Sequence, residues 1–257
     1  MTRVIAVTGA KGGTGKTTTA VNLAAALAER GYRVELRDLD PQASATRALG
    51  QRPVEDPAAA PSVPLRHARL PDGLLLLRPS GHALIGVEQH ESDGGRPDAG
   101  AAALLAPHPR WRADVLVVDC PPALGNLTTT ALRAAELALV PLEPTPLAFT
   151  ALEDLADALT TLRPRRPRLR AVVTRFQQRR LLSAEMLAHI DGFFPTLLFD
   201  TRIPEDVHAA EAPGAALPVT LFAPSAPSSA AYRALAGEVV EDMDLGRPSG
   251  SLYAERS

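Results

Sequence analysis

The sequence predicts an α/β fold of the doubly wound class, a mostly parallel sheet with helices on both faces. Short apolar runs recur along the chain, and stretches with helical periodicity separate them. The chain opens with the clearest example, formed by VIAV at 4–7, TTTAVNLAAALAERG at 17–31 and VELRDLD at 34–40. Strand, loop, helix and strand in this order form a βαβ unit, which places the first two strands in parallel.

The rest of the chain continues the alternation without a visible repeat. TALEDLADALTTL at 150–162 is typical of the intervening helices. Further strands are expected at LLLL 74–77, VLVVD 115–119, LALVPL 137–142, AVVT 171–174 and TLLFD 196–200. These elements predict a single domain over 1–243.

Three segments lack this alternation. Segments 51–64 and 90–100 are rich in proline, glycine and charge, so we expect surface loops there. Residues 244–257 have no apolar periodicity and are expected to form a disordered C-terminal tail.

Composition narrows the function classes. With 257 residues, 46% hydrophobic, 22% charged and a net charge of -2, the chain has the composition of a globular protein, and nucleic-acid binding would need a local basic patch. Cys120 is the only cysteine and the six histidines are scattered, which excludes an intrachain disulfide and a zinc or iron–sulfur ligand set. The first apolar run is too short for a signal peptide, and none approaches the roughly 20 residues of a membrane span. We expect a cytoplasmic protein.

A glycine-rich loop, AKGGTGKTTTA at 10–20, holds Lys11 and Lys16, the only lysines among 27 cationic residues. Since arginine is used everywhere else, lysine marks positions where arginine would not serve. Glycines between a strand and a helix let backbone N–H groups approach an anion, and the helix N-terminus adds its positive dipole end. Lys16 would reach the β- and γ-phosphates of a nucleoside triphosphate, and the Thr17 hydroxyl would ligate Mg²⁺.

The phosphate-binding residues expected from this loop are Gly12, Gly13, Thr14, Gly15, Lys16, Thr17 and Thr18. The strict P-loop pattern fails at Ala10, where it requires glycine. A glycine turn that merely enters a helix is the simpler alternative.

The stretch KGGTGKTTTAVNLA resembles the deviant phosphate loop of the ParA/MinD family of P-loop ATPases. The resemblance implies ATP or ADP and Mg²⁺ as cofactors, and an ATP-dependent sandwich homodimer in which Lys11 reaches the phosphates of the other subunit. Lys16 would then serve its own ATP. Because the first strand starts at residue 4, the resemblance is closest to ParA-type chromosome or plasmid partitioning ATPases without an N-terminal DNA-binding domain.

Two acidic strand ends complete the predicted site. DLDPQASAT at 38–46 and VLVVDCPPALGN at 115–126 end strands where open α/β sheets bind ligands, and both resemble family switch segments. The resemblance implies that Asp40 orients the attacking water and helps to hold Mg²⁺, with Asp119 as a second supporting carboxylate. An Asx turn after a strand is the simpler interpretation of Asp40. Family members more often have QGN where this chain has Gln42-Ala43-Ser44.

The predicted catalytic residues are therefore Lys11, Lys16 and Asp40, and the predicted metal site is Thr17, Asp40 and Asp119. TRIPEDVHAAEAPGAALPV at 201–219 resembles a segment that borders the adenine pocket in the family. It has Glu205 and Asp206 where relatives usually carry a basic and an amide residue. The base contacts implied by this resemblance are Thr174, Arg175, Pro204 and Asp206.

A run of eight arginines without an acidic residue, from Arg163 to Arg180, predicts a surface for DNA phosphates. A solvated loop before a strand is the alternative. The DNA-binding residues expected are Arg175, Arg179, Arg180 and Arg233. Against DNA binding, segment 214–235 retains only Arg233 of the basic residues typical of relatives. The last helix, AAYRALAGEVVEDMD, is acidic, which disfavours membrane binding.

The resemblance implies a DNA-partitioning ATPase with weak basal activity. Its Mg-ATP dimer would hold nonspecific double-stranded DNA until a ParB-like centromere-binding protein stimulates hydrolysis, which would make the protein cytoplasmic and nucleoid-associated. Two alternatives stay open: a MinD or orphan ParA-like positioning ATPase that acts on a protein partner without DNA, and a ligase that uses ATP on a small molecule.

Overall fold

The computed structural model describes residues 1–9, 13–65, 67, 70, 74–89, 103–106, 111–162, 166–177 and 181–248. Within these residues the strands form one eight-stranded sheet in the order β3-β4-β2-β5-β1-β6-β7-β8. Every neighbouring pair is parallel except β3 and β4. The strands are β1 Arg3–Val7, β2 Val34–Asp38, β3 Val63–Pro64, β4 Leu75–Arg78, β5 Val115–Asp119, β6 Leu137–Leu142, β7 Arg168–Phe176 and β8 Leu198–Pro204. The predicted doubly wound fold is confirmed.

Helices cover both faces of the sheet. Alternate residues of β1 and β5 belong to two apolar clusters, one containing residues of α1 and α9 and the other residues of α4 and α5. Strands β2, β5 and β6 are buried along their whole length, as parallel strands covered on both sides must be. The helices are α1 Lys16–Glu29, α2 Ser44–Ala48, α3 Leu84–Gln89, α4 Asn126–Ala134, α5 Pro146–Thr161, α6 Leu181–Phe193, α7 Val207–Glu211, α8 Val219–Phe222 and α9 Pro227–Asp242, with a 3₁₀ turn at Ala212–Ala215.

The structure departs from the sequence-based expectation at two places. Segment 51–64, expected to be a loop, ends in β3, whose two residues pair antiparallel with Leu77 and Leu76. Two residues that include a proline give no periodic signal, so this edge strand could not be recognised. Segment 90–100 lies outside the described residues.

The start of the predicted C-terminal tail is packed against the domain. The Tyr32 hydroxyl donates to the carbonyls of Leu245 and Gly246 at 3.3 and 2.9 Å. Arg3 donates to the Met243 carbonyl at 2.7 Å. Backbone acceptors, which carry no sequence signature, therefore extend the ordered chain beyond residue 243; residues 249–257 lie outside the described part. No described helix is both long and apolar enough to cross a bilayer.

A buried cluster of charged side chains lies at β2 and connects other segments of the chain to this strand. Glu35 of β2 lies 2.9 Å from an Arg37 guanidinium nitrogen and 3.4 Å from Arg78 Nε, and it accepts a hydrogen bond from Ser62 at 2.8 Å. Arg37 also donates to the Leu104 and Ala106 carbonyls, at 2.8 and 2.7 Å. One buried carboxylate thus compensates two buried guanidiniums, and the cluster ties residues 62 and 104–106 to the sheet.

Replacing that carboxylate should strongly destabilise the fold. Glu35→Gln leaves two buried cations without a counter-charge, and removal of one partner from such a cluster costs about 3–5 kcal/mol. Glu136→Gln is the matched control, since Glu136 pairs with Arg3 in a partly exposed position, where a pair contributes about 0–1 kcal/mol. Urea unfolding of the two variants measures the difference, and equal losses would contradict the assignment.

Candidate active site

The glycine-rich loop joins β1 to α1 with left-handed backbone at two glycines. Gly13 has φ 79° and Gly15, the N-cap of α1, has φ 87°. A side chain at either position would be strained, because L residues disfavour this region. Gly15 cannot cap the helix with a side chain, and the first turn of α1 contains no acidic residue. The helix N-terminus is therefore suited to an external anion. Ala10, Lys11 and Gly12 lie outside the described residues, so the roles of Lys11 and Gly12 stay predictions.

Lys16 begins α1 and is only 8% exposed. Burial lowers the pKa of its ammonium group, while the nearby charges of Asp119 and Asp40 act in the opposite direction. The structure therefore brings three predicted residues, one cationic and two acidic, into one electrostatic site. A buried cation at a helix N-terminus is strongly attractive to a phosphate.

The acidic residues meet because β2, β5 and β1 are neighbours in the sheet. Asp119 at the end of β5 is in register with Val7 of β1 and Asp38 of β2. The chain leaves these parallel strands at the same edge, where doubly wound folds bind ligands. Sequence positions that are about 80 residues apart, 38 and 119, thus become adjacent.

Asp119 is fully buried, and neither of its carboxylate oxygens has a hydrogen-bond partner among the described residues. Burial and the charge of Asp38 raise its pKa well above the usual range. The Thr17 hydroxyl is near enough to lower that pKa without the geometry of a hydrogen bond. An orphaned carboxylate beside a hydroxyl fits a hard divalent cation such as Mg²⁺, which uses one or two protein oxygens and completes its shell with phosphates and water.

No group of three or more His, Cys, Asp or Glu side chains in the described chain is arranged to hold a metal. Thr17, Asp40 and Asp119 are the residues that would contribute from the protein side.

Asp38 and Asp40 have different environments. Asp38 is buried and accepts hydrogen bonds from the Thr46 N–H at 2.8 Å, the Thr46 hydroxyl at 2.7 Å and the Asp40 N–H at 3.1 Å. Burial raises the pKa of Asp38 to about 6, and these hydrogen bonds oppose the rise. Asp40 is partly exposed and accepts from the Gln42 N–H at 2.8 Å. The Asx turn of the simpler interpretation is therefore formed, yet Asp40 remains the accessible carboxylate and Asp38 the structural one.

Ala43 follows this turn with φ 55°, a left-handed conformation. The family resemblance places glycine here more often, and a non-glycine residue in this region carries about 1–2 kcal/mol of strain. The substitution in this chain therefore stiffens the loop at a conformational cost.

Two of the four predicted base contacts have other roles in the structure. Thr174 is buried and donates to the Thr14 carbonyl at 2.9 Å, so it supports the phosphate loop from below. Asp206 caps α7 by accepting from the His208 N–H at 3.0 Å, and it accepts from the Ser228 N–H and hydroxyl at 3.1 and 2.7 Å. Although burial alone would raise the pKa of Asp206, these hydrogen bonds lower it. Its carboxylate is therefore committed to helix ends, which corrects the base-contact prediction.

The other two base-contact predictions lie at the edge of the site. Arg175 has φ 49° and an exposed side chain whose guanidinium is 3.8 Å from Glu143. It lines a cavity of about 210 Å³ together with Gly13 and Thr14, next to the phosphate loop. Pro204 ends β8 and is half-buried. The base contacts of both residues stay predictions.

Arg233, a predicted DNA contact, makes internal contacts in the structure, and its contact with DNA stays a prediction. Its Nε and one terminal nitrogen bind Glu29 at 2.7 and 3.1 Å. The terminal nitrogens also donate to the Pro224 and Thr220 carbonyls at 2.7 and 2.9 Å. The guanidinium therefore joins α9 to α1 and α8.

The described arginines of the run, between 166 and 175, do not form one patch. Arg168 and Arg175 lie near opposite ends of the nine-residue strand β7, which spans roughly 30 Å. The Nε of Arg170 lies 3.5 Å from a carboxylate oxygen of Asp242, and its guanidinium stacks over the ring of Phe199. Arg179 and Arg180 lie outside the described residues, so their DNA contacts stay predictions.

Residues 5–219 match the model of the CobQ/CobB/MinD/ParA nucleotide binding domain. The chain belongs to this family. Among its curated relatives, the chromosome-partitioning ATPase Soj of Thermus thermophilus is 40% identical over 93% of this chain and 95% of the relative. The chromosome partitioning protein ParA of Caulobacter vibrioides is 34% identical over 93% and 94%.

Solved structures in the CobQ/CobB/MinD/ParA family have the same fold. Cobyrinic acid a,c-diamide synthase from Mycobacterium smegmatis, with bound ADP and magnesium, has a TM-score of 0.73 at 30% identity and covers 96% of this chain and 97% of its own. The septum site-determining protein MinD from Pyrococcus horikoshii, complexed with Mg-ADP, has a TM-score of 0.71 at 22% identity, with coverage of 93% and 96%. The second likeness shows the fold alone.

Removing the Thr174 hydroxyl should weaken nucleotide binding irrespective of the base. Thr174→Val keeps the side-chain shape but leaves the Thr14 carbonyl without its donor, and a lost hydrogen bond of about 1 kcal/mol corresponds to roughly fivefold weaker binding. Thr174→Ser, which keeps the hydroxyl, is the control. Calorimetric titration with Mg-ADP and Mg-GDP measures the effect, and a loss confined to the adenine nucleotide would restore Thr174 as a base contact.

Proposed function

We propose that this protein is an ATP-dependent DNA-partitioning ATPase, in which Mg-ATP drives a sandwich dimer on nonspecific double-stranded DNA. The observation that carries the proposal is the meeting of Lys16, Asp40 and Asp119 at the N-terminus of α1. Two relatives that align over most of this chain, Soj and ParA, are described as chromosome-partitioning proteins, which supports the proposal.

The chemistry follows from where each group lies. A bound Mg²⁺ neutralises negative charge on the phosphates. Lys16 and the N-terminal amides of α1 would hold the β- and γ-phosphates, while Thr17, Asp40 and Asp119 would supply the protein oxygens for the metal. Asp40, at the accessible side of the site, orients the attacking water for in-line displacement.

Hydrolysis by a single subunit should be slow, because phosphoryl transfer depends on cations around the developing charge. Lys11 of a second copy would add one such cation in the ATP dimer. A ParB-like centromere-binding partner would stimulate the step further, and hydrolysis would release the dimer from DNA. These steps would place the protein in the cytoplasm, associated with the nucleoid.

The second candidate is an ATPase that positions a protein partner without binding DNA. The observation that favours it is the internal use of Arg233, which removes a basic side chain from the expected DNA surface. An ATP-using ligase is favoured by no described contact, although a cavity lies beside the phosphate loop.

Retention of Asp40→Ala on random-sequence duplex DNA tests the proposal. This variant should bind ATP and dimerise but turn over poorly, so it should stay on DNA with ATP and not with ADP. Retention should fall steeply with salt, since each phosphate neutralised by arginine contributes about -0.9 to the slope of log K against log salt. Lys16→Ala, which should not bind ATP productively, is the control. A dimer that forms with ATP but never binds DNA would select the second candidate.

A matched pair of double variants locates the DNA surface. Arg179→Ala with Arg180→Ala should reduce retention and lower the salt slope by about 2. Arg166→Ala with Arg168→Ala removes the same charge from the opposite end of β7 and should have little effect. Equal losses would indicate that overall charge, and not a defined surface, holds the DNA.

A further inference from the structure

One chain segment contacts two loops of the site, the one that contains Asp40 and the one that begins at Asp119. Residues 80–88, here called the β4–α3 segment, follow the end of β4 and run into α3. The Ser80 hydroxyl donates to the Asp40 carbonyl at 2.6 Å, and the Ser80 N–H donates to the Thr46 hydroxyl at 2.9 Å. Ser80 is fully buried. Its two contacts attach the first switch loop, residues 38–46, to β4.

Hydrogen bonds also connect the two ends of the first switch loop. Because the Thr46 hydroxyl also donates to Asp38 at 2.7 Å, a continuous chain of hydrogen bonds joins Asp38, Thr46, Ser80 and Asp40. The backbone of Ser80 is also fixed by a residue outside the loop, because its carbonyl accepts a hydrogen bond from the Val54 N–H at 2.9 Å. Ser80 is therefore a fixed point against which the backbone of Asp40 is held.

The other end of the segment holds the second switch loop, residues 119–126. The Glu88 carboxylate accepts from the Leu127 N–H at 2.9 Å, and the Val87 carbonyl accepts from the Asn126 side chain at 3.1 Å. Glu88 thus caps α4, whose own N-cap, Gly125, has no side chain to do so. A Cβ at Gly125 would lie 1.7 Å from a Glu88 oxygen, so a side chain there would displace the Glu88 carboxylate from this position.

We propose that the β4–α3 segment is a clamp shared by the two switch loops, with Ser80 and Glu88 as positioning residues for hydrolysis. Ser80 acts through the backbone of Asp40, and Glu88 acts through the start of α4 on the loop after Asp119. Because one short stretch of chain makes both contacts, loosening either end loosens the other. The catalytic part of this inference rests on the role proposed for Asp40.

Steady-state kinetics of Ser80→Ala and Glu88→Ala test the positioning role. Each should lower kcat on the order of fivefold to tenfold, the loss expected for one positioning hydrogen bond, with KM and Mg-ADP affinity unchanged. Glu88→Gln, which keeps an oxygen acceptor, should recover most of the rate. Unchanged kcat in both alanine variants would overturn the positioning role.

Matched controls separate positioning from stability. Ser229 is a fully buried serine whose hydroxyl donates to two carbonyls at 2.9 and 2.8 Å, and Glu238 accepts from the Asp200 and Thr201 N–H groups at 2.7 and 2.9 Å. Ser229→Ala and Glu238→Ala should lower Tm as much as the test variants without lowering kcat. An equal fall of kcat in the controls would show a structural effect and overturn the proposal.

Hydrogen exchange tests the shared clamp without reference to activity. In Glu88→Ala, exchange should rise in the distant loop 40–46 as well as in 126–130, and in Ser80→Ala it should rise in 126–130 as well as in 40–46. Changes confined to the loop that each residue touches would overturn the coupling.

The reference variant Asp40→Ala separates this inference from the proposed function. If Asp40→Ala hydrolyses ATP at the unaltered rate, the catalytic assignment fails, and with it the claim that Ser80 positions a catalytic residue. If Asp40→Ala is inactive while both alanine variants keep the full kcat, the assignment of Asp40 stands and the positioning role alone is overturned.

Discussion

The site depends on one electrostatic constraint, the burial of the Asp119 carboxylate opposite Lys16. Without a ligand, the carboxylate carries the cost of burial and has no hydrogen-bond donor among the described residues. Such a group destabilises the domain unless a cation approaches it. A bound metal and nucleotide would relieve that cost, so ligand binding and domain stability are coupled in this architecture.

The same constraint explains the division between Asp38 and Asp40. Two ionised carboxylates beside Asp119 would repel each other in a buried site. The raised pKa of Asp119 reduces this repulsion, while hydrogen bonds from Thr46 stabilise the Asp38 carboxylate and fix the loop. Asp40 lies outside the buried layer, where it can meet water. Asp38 is buried and Asp40, two residues later, is partly exposed, so of these two carboxylates only that of Asp40 can act on a substrate.

The sequence predicts the fold well, because strands, helices and glycine turns leave local signals. Apolar runs of four and six residues mark β5 and β6, and the left-handed backbone at positions 13 and 15 favours glycine. Contacts that depend on distant chain segments leave no such signal. Asp206 caps two helix ends, Thr174 supports the Thr14 carbonyl and Arg233 pairs with Glu29, 204 positions away. Residue type alone could not distinguish these uses from contacts with a base or with DNA.

The arginine run shows a related limit. Charge density along a sequence predicts a surface only when the residues stay together in space, and an extended strand separates them by about 3.3 Å per residue. Strand β7 carries Arg168 and Arg170 to one side of the domain and Arg175 to the side of the nucleotide site. A charge near the phosphate loop can respond to nucleotide, whereas one at the opposite edge cannot do so directly. The proposed ATP-dependent binding to DNA would therefore depend on cations on the nucleotide side of the domain, where Arg175 lies, while Arg168 and Arg170 would contribute only to the general attraction.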